Sequence, residues 1–123
     1  MGHLLLDTSI LIAAPATLEG ESAAVSVLSL AELECGVLLA ATAAERGRRL
    51  DQLDRVRRAF QAVPFDEAAA HEYAILAATA RESGRNEYVI DTQIAAIAKA
   101  NGLTLATRDR RQAELLEDSI LVG

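Results

Sequence analysis

The sequence predicts an α/β fold: a parallel sheet with helices on both of its faces. Three observations carry that expectation. Leu4-Leu5-Leu6, Ala23–Leu28, Leu103–Thr107 and Ile120–Val122 are short runs of apolar or β-branched residues. A strand buried on both faces shows such a run rather than polar alternation. Between the runs lie longer stretches with helical spacing, and strand–helix alternation implies parallel strands joined by helical crossovers. The composition agrees. Half the residues (51%) are apolar, yet there are two Tyr, two Phe and no Trp, so Ala and Leu fill the core and helices pack closely. A chain of 123 residues suits one domain, residues 1–123.

Each element has its own reason. Leu4–Leu6 forms a first strand, Asp7 stands where it runs out, and Thr8–Ala13 is a short helix stopped near Pro15. Residues 16–22 are small and polar, a loop. Ala23–Leu28 is the second strand. Ser29 and Glu32 then form an S-x-x-E capping box that opens a helix carrying Leu30, Leu33, Val37 and Leu38 on one stripe. Gly36 within it weakens the helix and points to a close packing contact. Ala43–Ala62 is a more polar helix with Leu50, Leu53, Val56 and Phe60 on its apolar side. Pro64 restricts Val63 to extended backbone, so a brief extended connection follows. Asp66 caps a helix through about Arg81, and residues 83–87 form the clearest loop. A helix from about Asp91 to Ala100 buries Ile90, Ile94, Ile97 and Ala98, and Asn101-Gly102 closes it. The strand Leu103–Thr107, a polar and then helical segment, and the strand Ile120–Val122 complete the chain.

Several function classes are excluded. No apolar run is long enough to span a membrane, and no basic region precedes a long apolar core at the N-terminus. The expectation is a soluble, cytoplasmic protein. A single cysteine, Cys35, rules out an internal disulfide and a cysteine zinc cluster. A net charge of −6 argues against a general nucleic-acid binder. The basic residues are nonetheless clustered, at Arg46, Arg48 and Arg49, at Arg55, Arg57 and Arg58, and at Arg108, Arg110 and Arg111. The first two clusters read as solvated helix faces. The third flanks an acid.

Four acids stand at strand ends and helix starts: Asp7, Glu32, Asp91 and Asp109. Taken singly, each is explained by helix capping, Glu32 as half of a capping box. Taken together, they fall at one edge of a parallel sheet, the carboxyl edge where ligands bind. Gathered carboxylates raise one another's pKa values unless a cation neutralises them. Hard divalent cations prefer such oxygens, so Mg²⁺ or Mn²⁺ is the expected occupant, while His3 and His71 lie elsewhere in the pattern. A site of this kind suits hydrolysis of a phosphodiester bond by an oriented water. No glycine-rich phosphate loop is present, which argues against an NTPase. Ser9 stands where an aspartyl-phosphate phosphatase would carry a second Asp.

At these residues the sequence resembles the PIN domains, and among them the VapC/FitB toxin ribonucleases of bacterial type II toxin–antitoxin modules. The matching stretches are Leu6-Asp7-Thr8-Ser9, Ser29–Leu33 with Gly36, Ile90–Ala98, and Gly102-Leu103 through Asp109. The resemblance implies a three-layer α/β/α sandwich and a Mg²⁺- or Mn²⁺-dependent endoribonuclease. It makes Asp7, Glu32, Asp91 and Asp109 the catalytic and metal-binding acids, with Asp7 and Asp91 as direct ligands. Thr8, Ser9 and Thr107 would hold carboxylates or water in place. It also implies an RNA substrate, a cognate VapB-like antitoxin, and a homodimer. Gln112 stands where relatives often carry a further acid, which bears on a second metal. Arg108, Arg110 and Arg111 beside Asp109 are candidates for RNA phosphate contact. The competing expectation is a non-catalytic module of the same fold that binds RNA or a protein.

Overall fold

A computed structural model describes residues 3–13, 22–86 and 88–122. Five strands form one parallel sheet in the order β3-β2-β1-β4-β5. They are β1 (Leu4–Leu6), β2 (Ala23–Ser26), β3 (Gln61–Val63), β4 (Thr104–Thr107) and β5 (Ile120–Leu121). The helices are α1 (Thr8–Ala13), α2 (Val27–Leu38), α3 (Ala43–Ala59), α4 (Glu67–Glu82), α5 (Val89–Ala100) and α6 (Arg110–Ala113).

The leucine run of β1 explains the three layers. Leu6 faces one side with Val25 and Ala106, under Ile10 and Leu11 of α1, Leu33 and Val37 of α2, and Leu53 and Val56 of α3. Leu5 faces the other side with Leu105, under Ala69 of α4 and Ile94, Ala95, Ile97 and Ala98 of α5. Successive side chains on a strand point to opposite faces, so a strand covered on both sides must be apolar throughout. Alanine supplies three of the seven buried residues of the second layer, in keeping with the composition.

The topology fixes where a site can form. The chain steps from β1 outward to β2 and β3, then returns to place β4 on the other side of β1. The carboxyl ends of β1 and β4 therefore flank the switch point, where the crevice of an open α/β sheet lies. Helix α5 feeds β4 and runs antiparallel to it, so the N-terminus of α5 reaches the same edge.

Several expectations are corrected. Strand β2 ends at Ser26, and α2 begins at Val27. Ser26, not Ser29, is its N-cap, with its side chain accepting from the Ser29 amide at 3.0 Å. The extended connection near Pro64 is an edge strand, β3, paired with β2 through Ser26 and Val63. Helix α3 ends at Ala59 because that strand begins two residues later. Helix α5 starts at Val89, which leaves Ile90 41% exposed rather than buried. Leu38 and Leu50 are likewise exposed. A Cβ at Gly36 would meet only Arg49 Nη1, at an ordinary 3.9 Å, so no close contact demands glycine there. The Gly36 carbonyl instead accepts from Arg49 Nη1 at 2.6 Å. The Asp66 cap and the Asn101-Gly102 closure are as expected, Gly102 having φ +65°. Pro15 and most of the 16–22 loop lie outside the described residues, as does Glu87.

Candidate active site

Asp7 is buried, 5% exposed, immediately after β1. A buried carboxylate needs partners, and the local sequence supplies them. Its Oδ2 accepts from the Ser9 amide at 3.2 Å, the Ser9 hydroxyl at 2.7 Å and the Thr107 hydroxyl at 3.0 Å. Asp7 also starts α1, since its carbonyl accepts from the amides of Ile10 and Leu11. Among the described residues every donor to its side chain meets Oδ2, leaving Oδ1 for the crevice.

The other acids arrive from three more elements. Asp109 follows β4 and caps α6, with Oδ1 accepting from the Arg111 amide at 2.9 Å. Asp91 sits in the first turn of α5, where the helix dipole favours a negative charge. Glu32 lies in the second turn of α2 and accepts from the Thr8 hydroxyl at 2.5 Å. Capping thus accounts for Asp7 and Asp109 but not for the other two. Tyr88, whose side chain makes no cap bond, is the N-cap of α5, and Ser26 caps α2.

Electrostatics ties the four together. Partial burial pushes Glu32 above the ordinary value of 4.5, the Thr8 hydrogen bond pulls it back, and the charges of Asp7 and Asp91 push it up. Partial burial also raises Asp91 above 3.8, with Asp7 and then Asp109 adding to the rise and Arg111 opposing it. The two acids without a capping role are thus the two whose ionisation the cluster disfavours.

Hydroxyls line the crevice. Thr8 Oγ1 stands 2.9 Å from Ser29 Oγ, which stands 3.3 Å from Ser26 Oγ, so a chain of three hydroxyls runs from β2 to Glu32. Ser9 Oγ accepts from the Arg108 amide at 3.0 Å, and Thr107 Oγ1 accepts from the Asp109 amide at 3.0 Å. Gln112, 1% exposed, meets Thr107 Oγ1 at 3.2 Å through Oε1 and the Asp91 carbonyl at 3.4 Å through Nε2.

Of the three arginines expected beside the site, Arg108 and Arg110 are exposed. Arg111 faces the acids, with Nη2 at 3.5 Å from Asp91 Oδ2 and 3.4 Å from Asp109 Oδ2. Its guanidinium carbon lies 3.6 Å from the centre of the Tyr88 ring. Sequence reasoning missed Tyr88 and Ser29 as neighbours of the site. The Ser-x-x-Ser spacing from Ser26 was a usable signal for the second, but nothing local pairs Tyr88 with Arg111. Among the described residues, no three of the acids, histidines and cysteine converge closely enough to hold a metal ion as they are placed.

A model of the PIN domain matches residues 4–116 of the chain. The chain belongs to the PIN-domain family. This PIN domain is 38% identical to Ribonuclease VapC5 of Mycobacterium tuberculosis (strain ATCC 25618 / H37Rv) over 111 residues, covering 85% of this chain and 82% of the relative. It is 32% identical over 123 residues to Ribonuclease VapC4 of the same strain, covering 95% and 94%. Its structure is similar to that of VapBC-5, a member of the VapBC family of toxin–antitoxin systems from Mycobacterium tuberculosis. The TM-score is 0.86 at 35% identity, over 99% of this chain and 100% of the other. It is also similar to FitAcB from Neisseria gonorrhoeae, with a TM-score of 0.82 at 28% identity, over 97% and 96%. These relatives set this PIN domain in the VapC/FitB branch, and the α/β/α fold is the one expected.

Proposed function

We propose that this PIN domain, acting as a single domain, is the toxin of a type II toxin–antitoxin pair, an endoribonuclease that hydrolyses RNA phosphodiester bonds with water. The observation that carries the reading is the gathering of Asp7, Glu32, Asp91 and Asp109 at the carboxyl edge of the sheet, near enough that Asp7 acts on both Glu32 and Asp91, and Asp109 on Asp91. The relatives named as VapC ribonucleases support the nuclease activity, and the VapBC and FitAB complexes support a cognate VapB-like antitoxin as partner. A homodimer is the proposed assembly and the cytoplasm the proposed location. No helix among the described residues is long and apolar enough to cross a membrane. The exposed Ile12, Leu38 and Leu39 offer apolar surface for a protein interface.

The donor set fits a hard divalent cation. Burial and the neighbouring carboxylates raise the proton affinity of Glu32 and Asp91, so positive charge stabilises their ionised forms, and Arg111 already supplies one guanidinium to Asp91 and Asp109. Asp7, Asp91, Asp109 and Glu32 would hold Mg²⁺ or Mn²⁺, and binding would draw Asp91 and Asp109 from Arg111. When bound, the cation polarises a phosphate and lowers the pKa of water. The chain's own residues do the rest. Ser9 and Thr107 immobilise Asp7. Thr8 orients Glu32, whose raised pKa suits it to take a proton at the crevice. Gln112 ties Thr107 to the start of α5, and Arg108, Arg110 and Arg111 offer charge to the RNA backbone.

The test is cleavage of RNA in Mg²⁺ or Mn²⁺, expected to vanish with EDTA and with Asp91→Asn. Full activity of that variant would remove the assigned site. Metal-insensitive RNA binding with no cleavage would instead favour a non-catalytic module of the same fold.

A further inference from the structure

Beside the acids the structure holds a cavity of about 240 Å³, most of whose wall the hydrolytic reading leaves without a role. It opens between the start of α5 and α6. Asp91 lies on its wall, so it is continuous with the candidate site. Its remaining wall combines Tyr88, Arg111, Arg85 and Asn86 with Thr92, Gln112, one further acid, Glu114, and the apolar surfaces of Ala80 and Leu115.

That combination has a definite chemistry. Arg111 lies over one face of the Tyr88 ring, 3.6 Å from its centre, so the two form a cation–π stack that a further flat group can extend. Single-stranded RNA is held through bases stacked on aromatic rings or on guanidinium planes. Arg85 adds a second cation and Asn86 an amide able to meet a base edge. A peptide rich in cations would meet two arginines here as well as Asp91 and Glu114, and it offers no flat group to the stack. An RNA strand brings phosphates to those arginines and a base to the stack.

We propose that this cavity is a base-binding subsite, which takes one unstacked nucleobase of the RNA strand next to the phosphate held at the acids. The base extends the Tyr88–Arg111 stack, and the cavity gives the enzyme its preference at one nucleotide position. The subsite rests on the ribonuclease reading for its substrate. Tyr88 can be changed without losing a helix cap, because its side chain makes no cap hydrogen bond and the α5 start uses its backbone.

The test uses short single-stranded RNAs of one sequence, each lacking the base at one position. They are titrated with the full chain in EDTA, so that no metal-dependent cleavage intervenes. One missing base is expected to weaken wild-type binding about tenfold, the loss of one base–aromatic stack. Tyr88→Ala should weaken binding of intact RNA by a similar factor and abolish the dependence on that base. Tyr88→Trp should restore both. A flat scan, an unchanged scan in Tyr88→Ala, or no RNA binding at all overturns the subsite. So does a Tyr88→Ala variant with undiminished RNA affinity, the result expected if the cavity serves a peptide side chain. Cleavage in Mn²⁺, measured in parallel, separates the two readings. Cleavage with a flat scan removes the subsite alone. A Tyr88-dependent scan without cleavage keeps the subsite and removes the nuclease reading.

Discussion

Thr107 donates its hydroxyl hydrogen to Asp7 Oδ2 at 3.0 Å and so bolts the end of β4 to the end of β1. Both residues are buried, so this bond sits where a lost partner is most costly. Thr107→Val keeps the shape and removes the donor. Chemical denaturation should show a loss of about 1–3 kcal/mol. Cation affinity, measured by calorimetry, should fall roughly 10–100-fold, as for other groups that orient metal ligands.

Thr8 acts on Glu32 in the opposite sense to the rest of the cluster. Its hydrogen bond favours the carboxylate, while burial, Asp7 and Asp91 favour the acid. Thr8→Val should therefore raise the Glu32 pKa further. If cleavage needs ionised Glu32, the acidic limb of the pH–rate profile moves to higher pH. A profile that does not move would show that Glu32 is not the group titrating there.

The crowded acids leave a signature in stability. Glu32 and Asp91 are raised above 4.5 and 3.8 in the folded chain, so folding binds their protons more tightly than the unfolded chain does. Their contribution is fully present below those values and is lost as pH rises through the folded pKa values. Without divalent cation, Asp91→Asn should match the wild type near pH 3.5 and melt above it near pH 7. Added Mn²⁺ should raise the wild-type melting temperature and leave the variant behind. Thermal melts at both pH values, with and without Mn²⁺, check this.

Arg110 and Arg111 differ in what surrounds them, and their substitutions should differ accordingly. Arg110 is exposed, so Arg110→Ala should lower RNA affinity evenly across sequences and reduce the salt slope by about 1. Arg111 also holds Asp91, Asp109 and the Tyr88 ring. Arg111→Ala should change sequence preference as well as affinity, and it should tighten Mn²⁺ binding by freeing two carboxylates. RNA and Mn²⁺ titrations over a range of salt concentrations read out both.

What the sequence revealed follows from range. The Asp66 and Asp109 caps and the Gly102 turn depend on neighbours a few residues away, and they read correctly. The start of α2 did not. Ser26 and Ser29 each satisfy the local rule for a cap. The choice is made by Val63, which pairs with Ser26 and holds it in the sheet, and by Thr8, which engages Glu32. Ile90 fits the α5 stripe by spacing but falls in the first turn, before the helix passes under α4 and the sheet. Asp7, Asp91 and Asp109 were visible because each follows a strand or opens a helix, and Glu32 because it lies only one turn further into α2. The Tyr88–Arg111 stack was not, since it joins the N-cap of α5 to helix α6, brought together only by the placement of one against the other.

The Thr107–Asp7 bond spans a sequence separation of 100 residues. A chain emerging from a ribosome can pair β1 with β2 early, but Asp7 has no Thr107 and no Asp109 until β4 has been made and threaded in beside β1. Contacts of such long range form late, because they wait on closure of a large loop. The candidate site is thus completed by one of the late folding events.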